Sequence, residues 1–190
     1  TDYYLVHFLY DKQGKELLRH RLTQPIDLTR GKLRPLTNEI GITLFDQSIS
    51  NETSYSHKLG IVTSTATTVS GDTGIFDYSL RHLYKYSTDD GVTDRYIQGN
   101  VNFNINANHS LKFSYERDLL EESTRGYEIA HTYRKSCWET QLSFTREIAP
   151  YNVSGGTSAS RDSDIIFLRL TLVPFGNISQ QLYASERTRR

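Results

Sequence analysis

Apolar and polar residues alternate one by one along most of this 190-residue chain. Between residues 101 and 106 the apolar positions are Val101, Phe103 and Ile105, each followed by an asparagine. The same period of two recurs further along, at residues 111–116, 127–133, 138–144 and 166–172. Successive side chains of a β-strand point to opposite faces, whereas this spacing would scatter the apolar residues all round a helix. The pattern therefore predicts strands with one apolar and one polar face.

The alternation extends over segments that are long for a globular protein. Ten strands are predicted, at residues 2–11, 15–23, 36–46, 52–68, 74–87, 94–106, 109–119, 123–135, 137–148 and 163–174. Strands of globular proteins usually have five or six residues. Strands near ten residues, when tilted, are long enough to cross a bilayer.

The predicted connections alternate between short and long. The segments 106–109 and 134–137 are tight turns. Longer polar connections lie at 87–94, 119–126 and 149–162. Long loops on one side and short turns on the other are typical of outer-membrane β-barrels. One connection, 24–35, is an exception because it is long but falls on the short-turn side of this count.

Composition excludes several other classes of protein. The 22 basic and 22 acidic residues give zero net charge, which argues against a nucleic-acid binder. No run of 18 apolar residues occurs, so a transmembrane helix is excluded. Thirteen Tyr and eight Phe argue against a disordered chain. The absence of Met predicts a chain that is processed or cut from a longer protein.

The two faces of the predicted strands favour a membrane barrel. Charged residues occupy the polar face and are predicted to line a lumen, at Lys112, Glu116, Glu128, Arg134, Glu139 and Arg169. Tyrosines cluster near strand ends, as in interfacial girdles, at Tyr84, Tyr86, Tyr96, Tyr115, Tyr127 and Tyr133. The prediction is an all-β fold, a transmembrane antiparallel up-and-down β-barrel. A soluble sandwich or lipocalin-like barrel stays open, since it alternates in the same way.

The sequence offers little sign of catalysis. Its six histidines are scattered without zinc spacing, at His7, His20, His57, His82, His109 and His131. No P-loop, nucleophile elbow or dinucleotide motif occurs. Asp89, Asp90 and Asp94 share one predicted loop, where a solvated loop tip is favoured over a protease site. The chain is therefore not expected to be an enzyme or to hold a metal or cofactor.

Cys137 is the only cysteine, and it stands in the polar turn "RKSC" at 134–137. A lone Cys among strands is often a small buried hydrophobe. In a polar turn burial is not expected, and an exposed thiol in an oxidising compartment pairs with another thiol. This chain offers no partner, so pairing with another segment or chain is the second possibility.

Two short stretches carry a resemblance to a known family. The segment "QPIDL" includes Gln24, Pro25, Asp27 and Leu28. It is similar to a Q-P-Y-D-L-like stretch of LptD, the lipopolysaccharide-assembly protein of the outer membrane, also called the organic solvent tolerance protein. Ile26 replaces the family's aromatic residue.

The second stretch, residues 126–147, carries the more specific motif. Tyr133, Cys137 and Trp138 match a Y-x-x-x-C-W strand–turn–strand signature of the family. The resemblance covers about residues 15–175 and identifies the chain with the C-terminal part of the LptD barrel. Some members carry two adjacent cysteines here, whereas this chain has Ser136 before Cys137.

The resemblance implies a role for the cysteine and an orientation for the strands. Cys137 would form a disulfide, at a periplasmic turn, with a cysteine of an absent N-terminal domain. With that turn in the periplasm, the connections at 46–52, 87–94, 119–126 and 149–162 would face the cell exterior. Residues 1–176 would be barrel, and 177–190 a short, disordered periplasmic tail.

The resemblance also implies a transport function in the outer membrane of a Gram-negative cell. The family inserts lipopolysaccharide into the outer leaflet and releases it through a gap beside the last strand. Here that lateral gate would comprise Ile166, Leu168, Leu170, Leu172 and Pro174. Pro174 lacks an N–H, so it would shorten the hydrogen-bonded ladder.

Partners are likewise implied by the resemblance alone. They are lipopolysaccharide, outer-membrane lipids, an LptE-like lipoprotein plug and, through the absent domain, an LptA-like periplasmic bridge. Two other functions stay open: a self-contained ten-stranded barrel enzyme such as a surface protease, and a soluble lipid-binding β-barrel. Folding in water rather than in detergent would identify the soluble barrel, and clustered loop carboxylates with His would identify the protease.

Overall fold

The computed structural model describes the backbone of residues 1–87, 91–153, 157–172 and 176–189. Side chains are described for all of these except residues 149–153, 157–161 and 188–189. Within this part of the chain every regular element is a β-strand. The described residues hold no helix of the length and apolarity needed to cross a bilayer.

Thirteen strands are present among the described residues, most of them longer than the globular average. They are β1 (Asp2–Tyr10), β2 (Glu16–Asp27), β3 (Lys32–Leu33), β4 (Leu36–Leu44), β5 (Gln47–Ser56), β6 (Ile61–Asp72), β7 (Phe76–Ser87), β8 (Gly91–Asn104), β9 (His109–Asp118), β10 (Thr124–Lys135), β11 (Trp138–Val153), β12 (Thr157–Leu172) and β13 (Gly176–Arg189). The all-β prediction is confirmed.

The strands form one up-and-down sheet in which sequence neighbours pair. The order is β1-β2-β4 and then consecutively to β13, with the two-residue β3 paired only to β2. The sheet does not close, because β1 and β13 stand at opposite ends of this order. By contacts the chain divides into two units: unit 1 is residues 1–72 and 79–97, and unit 2 is residues 73–78 and 98–190.

The predicted strand 52–68 is wrong, because it contains a turn. Residues 57–60 separate β5 from β6, and Gly60 adopts φ +68°, which favours a residue without a Cβ. The predicted outer connection at 46–52 is also wrong, since Gln47 already begins β5. The Phe45–Asp46 turn is tight, and Phe45 tolerates a positive φ of 54°.

The extra turn resolves the misplaced long connection. Connections of an up-and-down sheet alternate between its two ends, so one additional strand moves every preceding connection to the other end. Residues 28–35 therefore lie at the same end of the sheet as the turn at 57–60. A hydrogen bond of 2.6 Å between His57 Nε2 and Gln24 Oε1 joins these two places. At the opposite end of unit 1, Lys15 Nζ donates to the Phe45 carbonyl at 2.8 Å.

The C-terminal end of the chain also differs from prediction. Gly176–Arg189 is strand β13, paired with β12 from Leu172 back to Ser160. The expectation that 177–190 is a disordered tail is therefore wrong for the described residues up to 189. The ladder shifts register between Ile166 and Phe167, leaving Leu182 as an extra residue.

The sheet encloses almost no apolar core. Among the described residues only Leu83 and Ala130 are buried hydrophobic residues. The accessible surface is 13336 Å², whereas a compact globular chain of 21.9 kDa exposes about 9,300 Å². The apolar positions of the alternating strands are thus not covered by a second layer of this chain.

Candidate membrane-facing surface and polar face

The apolar side chains of unit 2 form continuous rows across neighbouring strands. One row runs from Phe113 of β9 through Ile129 of β10 and Phe144 of β11 to Ile166 of β12, each directly opposite the next. The parallel row one step along contains Leu111, His131, Leu142 and Leu168. Direct pairing places residues on one face, so these rows are one apolar surface.

This apolar surface is the exposed one. Phe113 is 46% exposed, Ile129 44% and Leu142 48%. A monomeric soluble protein seldom leaves a contiguous apolar patch of more than a few hundred Å² in water. In a closed soluble barrel or a sandwich these rows would face the interior.

The opposite face of the same strands carries hydrogen-bonded ion pairs. Lys112 Nζ lies 2.8 Å from Glu128 Oε2. Arg134 Nη2 lies 2.6 Å from Glu139 Oε2, directly across the β10–β11 pair. Ala130, between these pairs, is 1% exposed. Around Ala130 the polar face is therefore sheltered, whereas the Arg134 side chain is 72% exposed.

Five of the six predicted lumen residues are paired with an opposite charge, so most of this face is electrically balanced. Glu116 completes the set with Arg125, at 3.5 Å. Arg169 stands on β12 opposite Gln141 and is exposed. Exposed pairs of this kind contribute about 0.2–1 kcal/mol each. Mutual ion pairing, the simpler role for these residues, is therefore present for five of the six.

A further charge cluster, which the sequence did not predict, closes the connection after β9. The Asp118 carboxylate accepts hydrogen bonds from the N–H groups of Leu120 at 2.7 Å and Glu121 at 3.1 Å. Arg125 Nη2 also donates to it at 2.6 Å. Burial raises the pKa of Asp118, but the Glu121 N–H, the Arg125 guanidinium and the Leu120 N–H outweigh burial and lower it. The sequence signal for this turn is Asp118 itself, because an aspartate often accepts a hydrogen bond from the backbone N–H two residues further on, here that of Leu120.

The apolar face ends at a second charged group. Arg146 Nη2 lies 2.9 Å from Asp162 Oδ2, and Arg146 Nε lies 3.6 Å from Asp164 Oδ1. Arg146 pairs across the ladder with Asp164, directly next to the row of Phe144 and Ile166. The apolar band is therefore bounded by charge along β11 and β12.

The other end of the apolar face carries aromatic rings beside Cys137. Trp138 and Tyr133 have ring centroids 5.2 Å apart, and Tyr133 and His109 4.7 Å apart. Cys137 is exposed and unbonded in the two-residue turn between β10 and β11. The expected exposure of the thiol at a tight turn is confirmed. Its disulfide stays a prediction.

The predicted gate is not on an end strand. Ile166, Leu168, Leu170 and Leu172 lie on β12, which pairs on both sides, with β11 and with β13. Its description as the last strand is therefore wrong. Pro174 lies outside the described residues, as do Asp89 and Asp90.

Four of the six histidines form two cross-strand pairs. Nδ1 of His7 lies 3.5 Å from Nδ1 of His20, and Nδ1 of His109 lies 3.1 Å from Nε2 of His131. Within the described ranges no group of three His, Cys, Asp or Glu side chains is placed to hold a metal ion.

Comparison with known proteins adds no assignment. No protein-family model matches the chain, and no curated protein matches it either.

Proposed function

We propose that this chain forms part of the wall of an outer-membrane β-barrel, with its apolar rows toward lipid and its ion-paired face toward the lumen. The single observation that supports this most is the exposure of Phe113, Ile129 and Leu142 on the apolar face, whereas Ala130 on the opposite face is buried. In a bilayer, lipid chains replace water at such a surface, and only a closed set of paired strands satisfies the backbone there.

The two ends of the apolar surface, along the direction of the strands, agree with this orientation. Charged residues bound it at Arg146, and aromatic rings bound it at Trp138 and Tyr133. Tyr and Trp favour the level of the lipid headgroups. Apart from the short β3, the described strands have 9 to 16 residues, which meets or exceeds the 9–11 needed for a tilted crossing.

Within this class, we propose the role of the LptD family, insertion of lipopolysaccharide into the outer leaflet without covalent chemistry. The support is the resemblance around Tyr133, Cys137 and Trp138, together with the exposed position of the thiol at a hairpin. The polar face offers balanced charges that would pass sugar and phosphate groups while acyl chains remain in the bilayer. On this proposal Cys137 pairs with a cysteine of the periplasmic domain.

A matched pair of tryptophan variants tests the orientation. Trp138 is the only tryptophan, so Trp138→Phe gives a silent background. In that background Phe113→Trp should be quenched strongly by phospholipids brominated in their acyl chains, whereas Ser114→Trp, one residue along, should not. Equal quenching at the two positions would contradict the proposal, because neighbouring strand residues face opposite sides.

The transport role needs its own test in a Gram-negative cell. A photo-crosslinking residue at position 132, on the polar face next to the His131 row, should capture lipopolysaccharide. The same residue at position 129, on the apolar face, should capture phospholipid. If neither position captures lipopolysaccharide although the protein is inserted in the membrane, the transport role is refuted, while the proposal of a membrane-barrel wall still stands.

A further inference from the structure

One end of unit 1 concentrates positive charge around a cavity of about 350 Å³. Its lining includes four cations, Arg30, Lys32, Arg34 and Lys58, and one carboxylate, Asp27. The whole chain has as many acids as bases. A local excess of this size makes the cavity suited to an anion.

Two separate turns build this basic end and are joined by hydrogen bonds. The first is the hairpin of β2 and β3, in which Asp27 pairs with Lys32. The second is the 57–60 turn between β5 and β6. Gln24 links them, because its Oε1 lies 2.6 Å from His57 Nε2 and its Nε2 donates to the Arg34 carbonyl at 2.9 Å.

The charges are only partly neutralised within the protein. Arg34 Nη2 lies 3.7 Å from Asp27 Oδ2, and the Arg34 side chain stays 66% exposed. Asp27 also accepts the backbone N–H of Arg30 at 3.2 Å. One carboxylate thus serves the local turn, and the cations around it face outward.

Exposed leucines accompany the cations. Leu28 is 70% exposed and Leu33 53%, and both lie within or beside the β2–β3 turn. Leu59, in the other turn, is 37% exposed and follows Lys58. Leucines flanked by lysine and arginine are the composition of segments that sit at the surface of an anionic bilayer. A site for a free anion would have no use for these leucines.

We propose that this basic end binds the phosphate of an anionic lipid headgroup while Leu28, Leu33 and Leu59 enter the headgroup layer. The inference rests on the proposed membrane location and adds a lipid preference to it. Arg30, Lys32, Arg34 and Lys58 bind the phosphate, and Gln24 is a positioning residue that keeps the two turns side by side.

Lipid titration of the full chain in zwitterionic detergent micelles tests this. An environment-sensitive dye is attached at Thr29→Cys in a Cys137→Ser background. Dioctanoylphosphatidylglycerol should shift the dye signal at a concentration at least about ten-fold lower than dioctanoylphosphatidylcholine does. Each Lys or Arg near an anionic surface is worth about five-fold in affinity. The double variant Lys32→Gln, Lys58→Gln should therefore weaken the anionic lipid about 25-fold.

Matched controls separate this site from general charge effects. The double variant Lys12→Gln, Lys135→Gln removes the same charge elsewhere and should change the affinity less than two-fold. Gln24→Ala should weaken binding without any change of charge. If inorganic phosphate competes as well as the lipid, or if the two double variants behave alike, the proposal is wrong.

The outcome is distinguishable from failure of the membrane proposal. Insertion is followed independently by brominated-lipid quenching of Trp138 in the intact chain. Quenching with no preference for the anionic lipid would overturn only the headgroup site. Absence of quenching would overturn the membrane wall itself.

Discussion

A charge placed on the apolar face should destabilise the protein far more than the same charge on the neighbouring residue. Phe113 lies at the middle of β9, with Ile129 opposite and 46% of its own surface exposed. An arginine on the lipid face near the middle of a bilayer costs about 2–4 kcal/mol. We therefore expect Phe113→Arg to lower the free energy of unfolding in phospholipid vesicles by that amount.

Ser114→Arg is the matched control, because Ser114 is adjacent but faces the other side. It lies directly opposite Glu128, which already accepts a hydrogen bond from Lys112 at 2.8 Å. A second cation beside this carboxylate is in a polar setting, so its effect should stay within about 1 kcal/mol. The two variants add the same charge and the same side chain, one residue apart.

Reversible unfolding in guanidinium, followed by Trp138 fluorescence, gives both values. If the apolar rows instead faced water, Phe113→Arg would be an exposed surface substitution, with an effect within about 0.5 kcal/mol apart from strand propensity. Equal destabilisation by the two variants, or a larger effect of Ser114→Arg, would refute the assignment of the faces.

Three further results are expected. Gly126→Ala should cost about 1–3 kcal/mol, because its Cβ would lie 2.7 Å from the Arg146 carbonyl oxygen, whereas Gly41→Ala, with its nearest contact at 3.9 Å, should be tolerated; chemical unfolding measures both. Asp118 has a folded pKa below its ordinary 3.8, so its ionised form stabilises the fold above that value and this contribution is lost as pH falls through the folded pKa; Asp118→Asn should flatten the acid part of a stability-versus-pH curve. In the isolated, reduced chain a membrane-impermeant maleimide should label Cys137, and Cys137→Ser should leave stability within about 0.5 kcal/mol; failure to label the reduced chain would contradict the exposed turn.

Strands β9 and β10 and the start of β11 were predictable because their alternation of apolar and polar residues is almost uninterrupted. From Val101 to Phe144 most apolar residues are followed by a polar one, and the tight turn at Cys137 is preceded by Arg134, Lys135 and Ser136. The two faces follow directly from that period. Their exposure could not be predicted, since a period of two does not say which face meets lipid, water or a second layer.

The turn at 57–60 was missed because the residues around it blur the pattern. β5 and β6 consist largely of Ser and Thr, which suit either face of a strand and give no contrast. Gly60 is the only strong local signal, and its positive φ shows why a glycine stands there. One missed turn then placed every earlier connection on the wrong side.

Strand β13 was missed for a different reason, an interruption of the period by a bulge. Ile178 pairs with Leu170 and Tyr183 with Ile166, but the intervening register shift adds Leu182. The apolar residues therefore do not stand at alternate positions, and the segment does not show the period of two in its sequence. The charge cluster of Asp118 with Arg125 was missed because its partners meet only when the connection between their strands folds back.

The position of β12 between β11 and β13 limits which pair of neighbouring strands could separate to open a barrel wall. β12 has 16 residue pairs with β11 and 13 with β13. Separating either seam within hydrocarbon would leave many backbone groups without partners, each at a cost of several kcal/mol. On the function proposed above, a lateral opening would therefore fit the outer edge of β13 better than the predicted row from Ile166 to Leu172. Among the described strands, β13 has no neighbour on its outer side in the strand order, and its residues are largely polar.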